Sequence, residues 1–572
     1  MLRKIPCDWF LTDGILPDVR LGAPARIMDA LMRAGVVKDD GTLISRLSRE
    51  WVFRRSWRYY ADFSAPKTEG TRVFLEMDGL FGKYTVRLND KEIYKGDSEY
   101  LKAEATGVLN AENRIEIEFE PESNETMLPV SGLFGNLLVY DAGDVVIMKS
   151  EANYTTDMAT VLSTVDAHCD GEVQILYTLT TEKGVREKKI YMGLSRGANE
   201  IEHSPFTDIG SGRTELEICI KKDGITADSA RIVKYVSEDM RTLRGFRASD
   251  GFGMSAVRRV GGNAVIVGGS RRSYTLAADR GLTAFENGRI ALTDAECALQ
   301  KLEILEELCG GNTDMLEKEA IWRLSGVDKD VYMNAVSMVP DDADLDRKVC
   351  ASRYRQAVCL ADKARKARLS GEGMIIRSIR DEAPVFASSA IFDKNERPRP
   401  AFYALMQAWG KEHAFAACPD EAVVDGICTV QAYYVCDGEA GNANVSVTVY
   451  GSNGCELAGG SFSVIGSGRE AIGRVAAEVD DGPFIVVRTK VMHGFTVASV
   501  CDTVIPINGC TLADAEETQL VFKDNGIENV GGTAAIGVCI PGANYFGALL
   551  PGERVEIEPG RPDAAEGLNI LY

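Results

Sequence analysis

Arg72-Val-Phe-Leu-Glu-Met-Asp-Gly-Leu-Phe-Gly-Lys-Tyr-Thr-Val-Arg-Leu-Asn-Asp-Lys-Glu-Ile-Tyr94 carries three short strands and a turn. Residues 72–77 and 84–88 alternate apolar with polar side chains, the period of a strand with one face in a core. Asn89-Asp90 is a tight-turn signal before a third strand at 91–94. Asn113-Arg-Ile-Glu-Ile-Glu-Phe119 repeats the alternation with a charged outer face. Strands this short, at this spacing, predict a β-sandwich or jelly roll. Trp57, Tyr59, Leu75 and Leu88 are its expected core. A helix is expected upstream, at about 25–34, with Ile27, Leu31 and Met32 on one face.

Outward from this block the pattern changes twice. Residues 145–235 are again strand-rich, with Val173-Gln-Ile-Leu-Tyr-Thr-Leu179 and Glu215-Leu-Glu-Ile-Cys-Ile220, a size that suits an immunoglobulin-like sandwich. From about 294 to 368 the periodicity is helical, marked by Ala298, Leu302, Ile304 and Leu305 and then by residues 354–368. Gly373-Met-Ile-Ile-Arg-Ser-Ile379 reads as a buried strand, and Pro400 opens a helix running to Trp409. After Cys418 strands return to the end of the chain, separated by Gly, Asn and Asp turns.

Length and charge bound the function. A chain of 572 residues implies three to five domains. The net charge of −21 disfavours nucleic acid and anionic membranes but leaves neutral ligands such as sugars unaffected. No stretch approaches the ~20 apolar residues of a membrane span, and residues 1–14 lack a signal-peptide core. The 14 cysteines include no C-x-x-C pair, so neither a zinc site nor a redox motif is indicated. Cys219, Cys428 and Cys436 fall inside strand patterns as buried, reduced thiols, and a cytoplasmic location is expected. His168, His203, His413 and His493 are too widely spaced for a metal cluster or a catalytic triad. The glycine pairs at 261–262 and 268–269 match no nucleotide-binding spacing, and no cofactor is expected.

Several segments, taken in order, resemble glycoside hydrolase family 2, and within it the β-mannosidases. Trp57-Arg-Tyr59 with Phe63, Leu75-Glu-Met-Asp-Gly79, Val86-Arg-Leu-Asn89 and Ser131-Gly-Leu133 are similar to that family's sugar-binding jelly roll. Ala543-Asn-Tyr-Phe546 with Leu549-Leu-Pro-Gly-Glu553 is similar to the D-N-Y-F…L-x-P-G-E signature of its C-terminal sandwich. Residues 373–403 resemble the last strand and helix of its (β/α)₈ barrel. The resemblance implies a multidomain, mostly β chain: a jelly roll at 1–142, an immunoglobulin-like sandwich at 143–236, a truncated barrel at 237–411, and β-sandwiches at 412–508 and 509–572.

Set against that family, the catalytic parts are missing. A retaining glycosidase uses two carboxyl groups ~5–5.5 Å apart, and the family carries both as glutamates at the C-terminal face of the barrel. Such a barrel takes ~250 residues, whereas 237–411 offers roughly 175; the early and middle barrel, with the Asn-Glu acid/base pair, is the part expected to be absent. Asn124-Glu125 and Asn199-Glu200 fall in sandwich domains, and Asn395-Glu396 in a turn. Ile266-Val-Gly-Gly-Ser-Arg-Arg-Ser-Tyr274 is the best match to the nucleophile segment V-S-E-F-G-x-Q-S-Y-P, and it places Gly268 where the glutamate should stand. In the last-strand motif the two tryptophans fall on Arg377 and Ala383, while Asp381 and Pro384 are kept. Pro205-Phe-Thr-Asp-Ile-Gly-Ser-Gly212 lacks the tryptophans of L-W-W-P-x-G-x-G.

The resulting expectation is a β-mannosidase-like homologue without hydrolytic activity. It would bind a neutral carbohydrate in a cleft lined by Arg377 and Asp381, with a second copy or a partner chain covering the open barrel. The alternatives are an active retaining exo-β-glycosidase and a decayed chain that folds poorly. Of the other carboxylates, those at 303–319 read as a solvated helical face. Asp381-Glu382 are neighbours on a strand end, so their side chains diverge.

Overall fold

The computed structural model describes residues 2–38, 48–65, 72–121, 131–133, 135–236, 243–248, 250–267, 271–286, 292–318, 322, 329–340, 342–381, 385–418, 423–437, 442–465, 468–479, 481–558 and 565–571. They form a multidomain, mostly β fold, divided into two compact units. One comprises Met1–Met240, Ala248–Ser255 and Asn263–Ile290; the other comprises Arg241–Arg247, Ala256–Gly262 and Ala291–Tyr572. No helix among the described residues is long and apolar enough to cross a membrane.

In the first unit, Leu2–Ile5, Leu137–Ala142, Arg72–Asp78 and Tyr100–Glu104 lie side by side as one sheet. Val19–Leu21, Trp9–Thr12, Trp57–Ser64, Glu112–Phe119, Tyr84–Leu88 and Lys91–Gly96 form a second. Alternation sends Trp57, Tyr59, Leu75 and Leu88 into one shared core, as expected. Asn89 and Asp90 both have positive φ (51° and 65°), the geometry of a two-residue hairpin whose twist matches its strands. The Asn89 side chain donates to the Val108 carbonyl, which pins the turn.

Residues 145–236 build a further pair of sheets, three and four strands wide, around Val161, Val165, Ile175, Tyr177 and Leu216. Cys219 is half-buried here rather than buried; its strand position faces the layer's outer side, between the inward Ile218 and Ile220. Two charged contacts tie this layer to the preceding one. Arg72 bonds both Glu104 and Asp166, and Lys102 reaches Asp228 at 3.3 Å. The unit also holds a parallel strand pair, Ala264–Val267 with Thr283–Glu286, joined through the helix Arg271–Ala278.

In the second unit Arg244–Arg247 pairs in parallel with Met374–Ile376. The helices Leu302–Leu308, Asp330–Val336, Leu345–Ser370 and Pro400–Ala408 follow the expected helical region. The exception is Ala298–Leu299, which forms a strand pair with Ala387–Ser388, so the helical turn starts only at Leu302. Two four-stranded sheets spanning 412–506 enclose a core of Val430, Tyr434, Val447 and Val487. Smaller sheets from Thr518 to Leu571 enclose another. There the Ala543–Phe546 segment turns on Asn544 (φ 51°), while Glu553 accepts from the Leu550 amide and pairs with Arg488.

Candidate functional site

Of the site residues singled out from the sequence, Arg377 and Asp381 are described, and they stand in different surroundings. Arg377 is exposed, and its guanidinium donates to Asp294 at 2.6 Å. Asp381, expected to line a cleft, has a fully buried side chain. It accepts from Arg399 at 2.6 Å and from the Gln300 amide at 2.6 Å. Burial pulls the Arg399 pKa down and the Asp381 charge opposes this. Arg399 also donates to the Ser388 carbonyl, so the pair braces the segment after Met374–Ile376 against the start of the helix Pro400–Ala408. A carboxylate so enclosed cannot reach a sugar. Gly268, Glu382, Ala383 and Pro384 lie outside the described residues.

The nearby carboxylates are also held by cations. Glu296 bonds Arg355, Glu303 bonds Arg397, Glu307 bonds Lys394 and Glu396 bonds Arg380. Asp393 bonds Arg397 as well and accepts two backbone amides. Among the described residues no group of three or more His, Cys, Asp or Glu side chains is arranged to hold a metal ion.

A sizeable concave site lies elsewhere, within the first unit: a cavity of ≈ 810 Å³. Five separate pieces of chain line it, at 94–102, 148–154, 230–236, 274–275 and 283–285. Tyr94, Tyr100, Tyr154, Tyr235, Tyr274 and Phe285 contribute ring surface. The wall is apolar in the main, with Asp97, Ser98, Glu99, Glu151 and Lys234 interspersed. The size is that of a pocket for a small molecule or short oligomer, ~300–1,000 Å³.

Its floor is rigid. Lys102 and Asp228 are both nearly buried; Lys102 also donates to the Ile147 carbonyl at 2.9 Å and sits 4.6 Å over the Tyr140 ring. Asp228 accepts from the Ile147 amide at 2.8 Å. On another wall Lys234 donates to the Ala152 carbonyl and lies 5.2 Å over Tyr274. Burial pushes the Tyr154 phenol pKa well up, so it stays a neutral donor. Thr283 is buried, yet its hydroxyl has no hydrogen-bond partner in the protein. An unpaired buried hydroxyl costs ~1–3 kcal/mol, a cost that a ligand oxygen in the cavity would relieve.

Rings plus scattered neutral and charged hydrogen-bonding groups suit a polyhydroxylated ligand, whose C–H faces stack on aromatic surfaces while its hydroxyls pair with polar tips. Nothing local in the sequence marks these residues, because the cavity joins segments up to 191 positions apart, from Tyr94 to Phe285.

Comparison with known proteins places these features. Residues 11–132 match the glycosyl hydrolase 2 galactose-binding domain-like family. The chain is 30% identical over 102 residues to β-mannosidase B of Aspergillus clavatus, a match covering 17% of this chain and 12% of that relative. The crystal structure of a β-D-mannosidase from Dictyoglomus thermophilum superposes with a TM-score of 0.76 at 10% identity, covering 100% of both chains. An exo-chitosanase of Amycolatopsis orientalis superposes with a TM-score of 0.65 at 11% identity, covering 97% of this chain and 96% of that one. At such identities the structural likeness speaks for the fold.

Proposed function

The chain is β-mannosidase-like and akin to glycoside hydrolase family 2, and from that premise we propose that it binds a neutral carbohydrate and does not hydrolyse it. The aromatic-lined cavity of the first unit is the observation that carries the binding half of this reading. In this reading the sheets of residues 2–142 are the jelly roll, those of 145–236 the immunoglobulin-like sandwich, and the parallel strand pair of the second unit is part of a shortened barrel. The pairing of Arg244–Arg247 with Met374–Ile376 supports the last point, since a closed barrel sets its first strand beside its last.

The non-hydrolytic half is supported by Asp381. One oxygen of its carboxylate holds both Arg399 and Gln300 while the other is buried without a hydrogen-bond partner, and the surrounding acids pair with arginine and lysine. Hydrolysis needs one carboxyl group free to give up a proton and a second free to attack. Gly268, aligned to the nucleophile, has no side chain with which to attack.

Two measurements on one preparation test the reading. Aryl β-glycosides, led by the β-mannoside, should show no turnover that co-elutes with the protein. Calorimetric titration with mannose, mannobiose and related glycosides should show saturable heat. Co-eluting turnover would establish an active exo-glycosidase instead. Absence of heat with every sugar would remove the binding assignment.

A further inference from the structure

We propose that Cys418 and Cys428 form an oxidisable dithiol, a modification site at which one small-molecule disulfide converts the two thiols into a cross-strand bridge. The proposal is independent of the carbohydrate reading and concerns the sandwich at 412–506.

Three observations carry it. First, the two sulfurs are 3.8 Å apart and already in hydrogen-bond contact. A disulfide needs ~2.05 Å, so the sulfurs must close by less than their present separation. Cys418 directly follows Glu412–Ala417, and Cys428 is the second residue of Ile427–Cys436, the strand with which Glu412–Ala417 pairs. The register places Ala417 opposite Gln431, so Cys418 stands diagonally across from Cys428 at the end of the ladder. A strand end is the part of a ladder best able to yield the remaining approach.

Second, the two differ in exposure in the way an attacking and a resolving thiol should. Cys418 is partly exposed, whereas Cys428 is buried in the sandwich core at 1%. An incoming disulfide meets Cys418 first. Third, the thiol hydrogen bond from Cys428 draws the Cys418 pKa down, while the same contact, with burial, raises that of Cys428. A lowered pKa favours the thiolate, the reactive form, on the accessible partner. The single exposed cysteines, Cys169 and Cys455, lack a thiol partner among their hydrogen bonds.

The chemistry balances as thiol–disulfide exchange. The Cys418 thiolate attacks one sulfur of a small disulfide, the small disulfide's S–S bond breaks, and one small thiolate leaves and takes up the proton that Cys418 lost. Cys428 then gives its proton to solvent and attacks the Cys418 sulfur. The mixed disulfide breaks, the second small thiolate leaves and is protonated, and the Cys418–Cys428 bond forms. Two protein thiols are oxidised by two electrons, and one small disulfide is reduced to two thiols.

The test uses the full chain with oxidised glutathione as oxidant. After incubation, free thiols are alkylated and the protein is digested for peptide mass mapping. The expected result is a peptide linked through Cys418 and Cys428, two hydrogen masses lighter than the reduced pair, with Cys436, Cys501 and Cys539 still alkylated. In Cys428→Ala, glutathione should remain attached at Cys418; in Cys418→Ala, Cys428 should stay unmodified. The oxidised protein should also melt at a higher temperature than the reduced one, with the increment abolished in either variant. Full alkylation of both residues in the wild type after oxidation would overturn the proposal, as would glutathione that stays on Cys418 with Cys428 intact.

Discussion

At the scale of single residues, burial and pairing decide what each side chain can do. Thr283→Val removes a hydroxyl that has no protein partner while keeping its shape. Stability should therefore hold or rise, by up to ~1 kcal/mol, while sugar affinity in the titration falls several-fold; loss of stability without loss of affinity would place the hydroxyl outside the site. Asp381→Ala is the opposite case, for it leaves the Arg399 guanidinium buried without its counter-ion, with the Ser388 carbonyl as a remaining acceptor. Breaking such a pair costs ~3–5 kcal/mol, which urea unfolding would read directly. Two histidines give opposite pH slopes. Burial holds the pKa of His413 well below its usual value, with Arg365 adding to the effect. The unfolded chain therefore takes up a proton that the fold refuses, and stability falls as the pH drops below ~6.5. Glu412 raises the pKa of His493, so that pair's contribution is complete below ~6.5 and fades as the pH climbs through the raised value. Proton NMR of the histidine rings should show His413 neutral across the native range and His493 titrating above its ordinary pKa. In Glu412→Gln the His493 midpoint should drop back while His413 is unmoved.

Among elements, those that alternate cleanly were legible from the sequence and those with buried charge were not. The hairpin at Asn89-Asp90 and the strands around it follow from period and turn chemistry alone. The helix Leu345–Ser370 starts nine residues before the segment that the pattern marks at 354. Its inner face explains why: Arg353, Arg365 and Arg368 are buried on it alongside Val349, Ala357 and Leu360. Their partners lie far along the chain, Glu566 for Arg353, Asp437 for Arg368, and His413 with Cys501 for Arg365, so a hydropathy pattern sees charge where the structure has core. Asp381 failed for the same reason. Its place after a buried strand was readable, but Arg399 and Gln300, which enclose it, were not. The ends of the long helix are more conventional. Asp344 accepts from the Arg347 amide, and Gly371 takes φ 76° just past the last turn. Asp344→Ala should lower stability by ~1 kcal/mol, with Asp344→Ser recovering most of it in the same unfolding assay. Equal losses in both variants would show that the cap is not the cause.

For the whole molecule the decisive feature is that its apolar interior comes in separate pieces. One core joins Ile5 to Val139, a second joins Val145 to Val236, a third joins Ala414 to Ile507 and a fourth joins Ile527 to Ile570. Each is bounded by its own sheets, and cooperativity is strongest within a continuous core. Single-domain proteins unfold in one step because no part can lose its packing alone, a condition that large multidomain chains do not meet. Scanning calorimetry should therefore resolve more than one transition, with a van't Hoff enthalpy below the calorimetric one. The variants assign the transitions. Asp381→Ala should lower the one containing the helices of 302–408, while oxidation of Cys418 and Cys428 should raise the one containing the core of 414–507. The transition of the first two cores should respond instead to the bound sugar, because a ligand that binds only the folded form stabilises in proportion to RT ln(1 + [L]/Kd). A single transition with equal enthalpies, shifted alike by all three perturbations, would mean that the cores melt as one body.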